Sequence, residues 1–347
     1  MLGSTLTRRC LLAAAALGPP SSCLLPPSSR ASAAETVDVA LDWYPNGNHA
    51  GLFLAQARGY FHAAGLNVSL ATPADPTTVL QTVGAGRDTL GISYQPDVLL
   101  ARAEGVPIVS VAALVQRPLQ GVMSLASSGV TRPRDLVGKT VGSPGIPSQE
   151  AFLATMLEAD GASLADVELV VVDFNLLPAL LSGQAAAVTG AYWTHETIVA
   201  ERQGYPVTLL RVEEWGVPAY DELVLVTSDD TLRDRPDTVK AFLGAVQRGY
   251  VEAALNEAAA VEALVDAYPE TDRPVEEAAM PLLAEIWRSA TPAFGAQSSE
   301  RWTAFAAWMV ARGLLPADLD PLSALRTDLL PVATATPVAS PGATPTG

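Results

Sequence analysis

Apolar positions along the chain fall into two kinds of run. Short Val-rich runs without alternation occupy residues 37–41, 68–70, 90–93, 108–115, 122–126, 140–142, 168–172, 187–189, 207–211 and 223–227. Between them, at 50–57, 77–83, 96–104, 148–158, 175–181 and 193–203, apolar residues recur every three or four positions. Unbroken runs suit strands covered on both faces, and the longer spacing suits helices laid against them, so the order predicts an α/β fold. Beyond Ser228 the strand-like runs stop, and helical patterns take over at 236–267, 274–290 and 299–312.

Breaks near 120–128 and 219–228 divide the pattern into two lobes. Residues 35–121 and 222–330 are expected to form the first and 122–221 the second. The chain leaves through GVMSLAS and returns through ELVLVTS, after which the late helices pad the first lobe. Two crossing strands of this kind make a hinge. Ligands of open α/β sheets sit beyond the carboxyl ends of the strands, so two such edges facing across a hinge define a cleft.

The two ends lie outside this pattern. Residues 1–34 carry the basic pair Arg8 and Arg9, an apolar run too short to span a bilayer, and the ending Ala31-Ser32-Ala33. Together they read as an export signal, which places the protein in the periplasm or at the cell surface of a bacterium. The pair in TRRCLL is similar to a twin-arginine signal, which would imply export of the folded chain. Cys23 offers a lipid anchor as the alternative, although Pro20 stands where such signals carry Leu. Residues 331–347, rich in Pro, Thr and Ala and without an aromatic or charged residue, read as a disordered tail.

Composition narrows the partners. Hydrophobic residues make up 49% of the chain and charged ones 17%, enough to bury two cores. Both cysteines, Cys10 and Cys23, fall in the leader, so the body has no disulfide, thiol nucleophile or thiolate ligand. A formal charge of −16 repels a phosphate backbone and argues against nucleic acid.

Chemistry gathers at the strand ends. DWYPNGNHAG (42–51), ISYQPD (92–97), GSPGIPSQE (142–150) and GAYWTHE (190–196) each follow or close a strand-like run, and EEWGVPAYDE (213–222) enters the return crossing. Aromatic residues are only 6% of the chain, yet Trp43, Tyr44, Tyr94, Tyr192, Trp193, Trp215 and Tyr220 all lie in these segments. Flat faces stack on a flat heterocycle, and neighbouring carboxylates and amides read its ring nitrogens and amino groups. The candidate binding residues are Asp42, Trp43, Asn46, His49, Tyr94, Ser143, Gly145, Trp193, Glu196, Tyr220 and Glu222.

Several of these have plainer uses. Asp42 and Asn46 are ordinary turn and cap residues, His49 can cap the helix opening at Ala50, and Glu196 suits the macrodipole of a first turn. The Ser143–Gly145 turn could offer backbone N–H groups to an anion, but it lacks the Lys and spacing of a nucleotide loop. Histidines at 49, 62 and 195 make no metal set, and neither a G-x-S-x-G elbow nor a Rossmann fingerprint follows a strand. A binding protein without metal or cofactor is expected, rather than an enzyme. A purely structural surface protein would account for the two ends but not for aromatic loops at four strand ends.

DWYPN-x-NH-x-G, followed by GYF-x-x-x-GL, SYQP-x-VLLARA-x-G-x-P, GYP and VP-x-Y-x-E-LVLVTS, resembles the solute-binding proteins of ABC importers that share a domain with fungal thiamine-pyrimidine synthase. The similarity runs from about residue 37 to 290. It implies a two-lobed type II periplasmic-binding-protein fold, a monomer that hands its solute to ABC importer membrane subunits, and a formylated aminopyrimidine precursor of thiamine as that solute. A related branch binds riboflavin. Both are flat nitrogen heterocycles.

The synthase is the enzymatic rival on the same fold. In that family pyridoxal phosphate attaches to a Lys four residues before a His that is consumed, and a Cys-rich run associated with iron lies in the return segment. Ser93 and Asp97 stand in the two reacting positions here, Lys139 and Lys240 are the only lysines, and the body has no cysteine. Neither lysine is expected to reach the cleft.

Overall fold

The computed structural model describes residues 34–290 and 293–331. The export signal with Cys10 and Cys23, and residues 332–347 of the tail, lie outside the described residues. All ten strand-like runs form strands: β1 (Glu35–Ala40), β2 (Leu66–Ala71), β3 (Leu90–Ser93), β4 (Ile108–Val115), β5 (Gln120–Leu125), β6 (Thr140–Ser143), β7 (Glu168–Val171), β8 (Ala187–Tyr192), β9 (Val207–Arg211) and β10 (Leu223–Ser228).

They assemble into two five-stranded sheets, ordered β2-β1-β3-β10-β4 and β7-β6-β8-β5-β9. In the first sheet β1 runs parallel to β2 and β3, while β10 is inserted antiparallel between β3 and β4. The second repeats the plan, with β6 parallel to β7 and β8, and β5 antiparallel between β8 and β9. The chain passes from the first sheet to the second between β4 and β5, and returns between β9 and β10. Strand ends of both sheets carry the loops rich in aromatic and polar residues.

Helix packing fixes the first of these loops. Helix Ala50–Ala57 crosses helix Pro236–Leu255 where Gly51 and Gly249 meet. A Cβ on Gly249 would stand 2.2 Å from the Gly51 carbonyl oxygen, and one on Gly51 would stand 2.3 Å from the Tyr250 ring. Only glycine allows that contact. Nearby, Phe61 and Phe242 stack at 5.3 Å, and Tyr250 stacks on Phe294 at 4.5 Å.

One expectation for the late helices needs correction and another needs extension. The pattern at 236–267 is two helices, Pro236–Leu255 and Glu257–Ala267, because Asn256 leaves helical backbone and its side chain accepts from the Ala259 N–H to open the second. The late helices also reach beyond the first lobe. Helix Arg273–Arg288 brings Glu276 to within 3.8 Å of His195, and helix Ser299–Ala311 sets Phe305 and Trp308 at 6.4 and 6.2 Å from Phe152 of helix Pro147–Ala159. One apolar core therefore continues from the first sheet into the second on this side.

Candidate functional site

The first loop is built around one buried carboxylate. After β1 the chain turns at Asn46, whose Oδ1 accepts from the Asn48 backbone at 2.9 Å and from the Asn48 side chain at 2.9 Å, while its Nδ2 donates to the Tyr44 carbonyl at 2.9 Å. The Asn46 N–H donates to His49 Nδ1 at 3.2 Å. Because Nδ1 accepts, the ring proton sits on Nε2, which faces Asp42 Oδ1 at 2.9 Å. Tyr94, at the end of β3, donates its hydroxyl to Asp42 Oδ2 at 3.0 Å. The loop is anchored from behind by Tyr250, which donates to the Asn48 carbonyl at 2.7 Å, and by Glu276, which accepts from the Gly47 N–H at 2.6 Å.

Asp42, Trp43, Asn46 and Tyr94 form one wall of a narrow cavity that is partly open to solvent. The facing wall comes from the second sheet: Pro144, Ile146 and Gln149 after β6, then Gly190, Tyr192 and Glu196 at the end of β8. Gly190 is required here. Its φ is +79°, and a Cβ would meet the Gln149 and Pro144 side chains at 3.3 Å. Glu196 Oε2 accepts from the Tyr192 N–H at 2.8 Å, so one carboxylate oxygen is held while the group still lines the cavity. The Gln149 side-chain amide has no hydrogen-bond partner among the described residues.

Thus five of the candidate residues, Asp42, Trp43, Asn46, Tyr94 and Glu196, line one cavity, and His49 stands directly behind it. The others do not line it. Ser143 and Gly145 flank the lining residue Pro144, and the Gly145 N–H is directed at Ser143 Oγ, 3.1 Å away, rather than outward at an anion. Trp193 points the other way: its ring lies against the Arg211 guanidinium at 4.9 Å and Arg117 at 5.9 Å, where the chain crosses between the sheets.

Tyr220 and Glu222 belong to a buried knot at the crossing. Glu222 accepts from the Leu119 N–H at 2.7 Å, Gln120 Nε2 at 3.1 Å, the Tyr220 hydroxyl at 2.8 Å and the Tyr192 hydroxyl at 3.2 Å. Burial pushes its carboxyl up to about 7 against the pull of these donors. The Tyr220 ring packs between Phe152 and Phe305 at 5.2 and 5.3 Å. Through Tyr192 the knot braces the cavity from outside.

Sequence reasoning placed no weight on Pro144, Ile146, Gln149 or Gly190, and left Tyr192 out of the candidate set. Phe174 was also missed. It follows β7, sits 4.6 Å from Trp43 and 4.5 Å from Tyr44, and so closes an aromatic contact between the two sheets' loops. An aromatic residue just past a strand carried the same signal as the other loops.

Other contacts join the two sides. Ser148 donates its N–H to Asp97 Oδ1 at 3.1 Å and its hydroxyl to Asp97 Oδ2 at 2.6 Å. His195 Nδ1 lies 3.8 Å from Glu276, whose carboxyl is raised by burial, with His195 as the main opposing influence. Lys139 precedes β6 in a turn, and Lys240 lies exposed on helix Pro236–Leu255; neither lines the cavity.

The cavity lies between the strand-end loops of the two sheets, and comparison with known proteins identifies the fold that carries them. The family model described as NMT1/THI5 like matches residues 46–260. The chain belongs to the NMT1/THI5-like family. Within that family it is 39% identical to the formylaminopyrimidine-binding protein of Halalkalibacterium halodurans over 85% of this chain and 91% of that one. It is 29% identical to the 4-amino-5-hydroxymethyl-2-methylpyrimidine phosphate synthase of Aspergillus parasiticus, over 70% of this chain and 73% of that one. Among solved structures, the alkanesulfonate-binding protein SsuA of Xanthomonas axonopodis pv. citri superposes with a TM-score of 0.67, covering 84% of this chain and 98% of its own at 17% identity. That likeness shows the fold, a type II periplasmic-binding-protein fold.

Proposed function

We propose that this member of the NMT1/THI5-like family is the extracytoplasmic solute-binding protein of an ABC importer, and that its cleft captures an aminopyrimidine precursor of thiamine. The observation that carries this reading is the pairing of aromatic walls with oriented polar groups in one cavity. Trp43, Tyr94 and Tyr192 supply flat faces, and Asp42, Glu196 and Gln149 supply acceptors and an amide at the edges. A single six-membered ring stacks against the former. Its exocyclic amino group donates to a carboxylate, and the Gln149 amide can both donate to a ring nitrogen and accept from the amino group. Asn46 contributes less than its position suggests, because its carbonyl oxygen already accepts two bonds and only one amide hydrogen is left. The relative named for formylaminopyrimidine binding supports the same chemistry.

Binding is favoured over synthesis by what stands at the reacting positions. Ser93 and Asp97 border a groove with Leu100 and Pro147 that adjoins the cavity through Tyr94 and Ile146, and Asp97 is engaged by Ser148. Neither side chain can form an imine with an aldehyde cofactor. The reading is tested by mass spectrometry of the small molecules released when the purified native protein is denatured. An aminopyrimidine is expected at close to one per chain; a sulfonate, nitrate or flavin in its place would move the solute to another class.

A further inference from the structure

Asp97 and Ser148 lie on opposite lobes, and neither lines the cavity. Asp97 is in the first turn of helix Gln95–Ala103, directly after β3; Ser148 is in the first turn of helix Pro147–Ala159, after β6. The carboxylate of the first lobe receives both the N–H and the hydroxyl of Ser148, with Asp97 5% and Ser148 1% exposed. It therefore caps the helix of the other lobe, supplying a partner for an N–H that helix geometry leaves unpaired. Ile146 and Gln149, immediately beside Ser148, reach into the cavity. The distance of that wall from Asp42 and Trp43 is thus tied to this contact.

We propose that Asp97 and Ser148 form the clasp that holds the cleft closed over its solute, with Asp97 as a positioning residue that sets residence time without touching the solute. The inference rests on the reading of the cleft as a solute site. Parting the lobes breaks both bonds and returns the carboxylate to water, so the clasp exists only in the closed form.

This gives the clasp a signature. Burial pushes the Asp97 carboxyl up to about 6 in the closed form, against about 3.9 for an aspartate in water. Closure then takes up a proton between those values, and its contribution is full below them and is lost as pH rises through the upper one. Protonation keeps the clasp, since the carboxyl O–H can donate to Ser148 Oγ while the other oxygen accepts from the N–H. The ionisable groups beside it are Tyr94 and Glu104, which line the same groove; Glu150 in the facing first turn is exposed, and no cation contributes to the shift.

The test is stopped-flow dissociation of an aminopyrimidine, read by Trp fluorescence, across the acid-to-neutral range. In the wild type the dissociation rate is expected to rise as pH passes about 6. Asp97→Asn imitates the protonated carboxyl and should release slowly at every pH, while Asp97→Ala and Ser148→Ala should release roughly tenfold faster at neutral pH with the association rate unchanged. An unchanged rate in both alanine variants, or a wild-type pH slope retained in Asp97→Asn, overturns the clasp. Hydrogen exchange of the natively purified protein, carrying whatever solute it retains, separates this from the choice of solute. Protection lost in Asp97→Ala only at the start of helix Pro147–Ala159 supports the clasp even if that solute is no aminopyrimidine, and identical protection in wild type and variant refutes it.

Discussion

The His49 imidazole donates from Nε2 to the Asp42 carboxylate over 2.9 Å, and the Asn46 backbone N–H dictates that direction by occupying Nδ1. With Tyr94 on its other oxygen, Asp42 is held in one orientation at the cavity edge. Asp42→Asn keeps the volume but turns an amide NH2 toward either the His49 or the Tyr94 donor and removes the charge that would meet a solute amino group. Solute affinity should fall by about 1.5–3 kcal/mol, the worth of a hydrogen bond to a charged group. Titration calorimetry of the variant checks it; wild-type affinity would show that Asp42 only shapes the loop.

Trp43 and Trp193 should behave differently although both lie in aromatic strand-end loops. Trp43 lines the cavity, so Trp43→Ala is expected to lose about 1–3 kcal/mol of binding with a small change in the melting temperature of the free protein. Trp193 lies against Arg211 and Arg117 outside it, so Trp193→Ala should bind within about 0.5 kcal/mol of wild type. Equal losses in the two variants would contradict the placement of the cavity.

That contrast marks what the sequence could and could not convey. Strand runs were legible because full burial erases alternation, and the strand-end loops were legible because Trp, Tyr, Asn and Asp are unusual company for a turn. Which way an aromatic points was not legible. Trp193 follows Tyr192 by one residue, and the end of β8 sends Tyr192 to the cavity and Trp193 to the arginines. Tyr220 and Glu222 carried the same composition, but the late helix Ser299–Ala311 covers their side, and the reach of that helix into the second lobe depends on tertiary packing. Gln149 and Gly190 gave no signal by residue type, since their roles arise from one another's proximity.

The Glu222 knot gives the fold a pH dependence. Its folded carboxyl titrates near 7, while an unfolded glutamate titrates near about 4.3. The folded chain therefore holds an extra proton between these values, and the stability this confers is full below them and lost as pH rises through the upper one. Melting temperature, followed calorimetrically from mildly acid to mildly alkaline buffer, should decline across neutrality, and Glu222→Gln should flatten that part of the curve. An equal slope in both proteins would show that Glu222 does not carry it.

The central claim is that this cavity holds an aminopyrimidine and returns it unaltered. Equilibrium titration of the purified protein with the formylated aminopyrimidine, in the presence of pyridoxal phosphate and iron and followed by mass analysis of protein and solute, tests it most directly. The account predicts saturable one-to-one binding with quenched Trp fluorescence, recovery of the solute unchanged, and a protein of unchanged mass. Absence of binding, or release of a newly formed pyrimidine with loss of mass at a histidine, would contradict it.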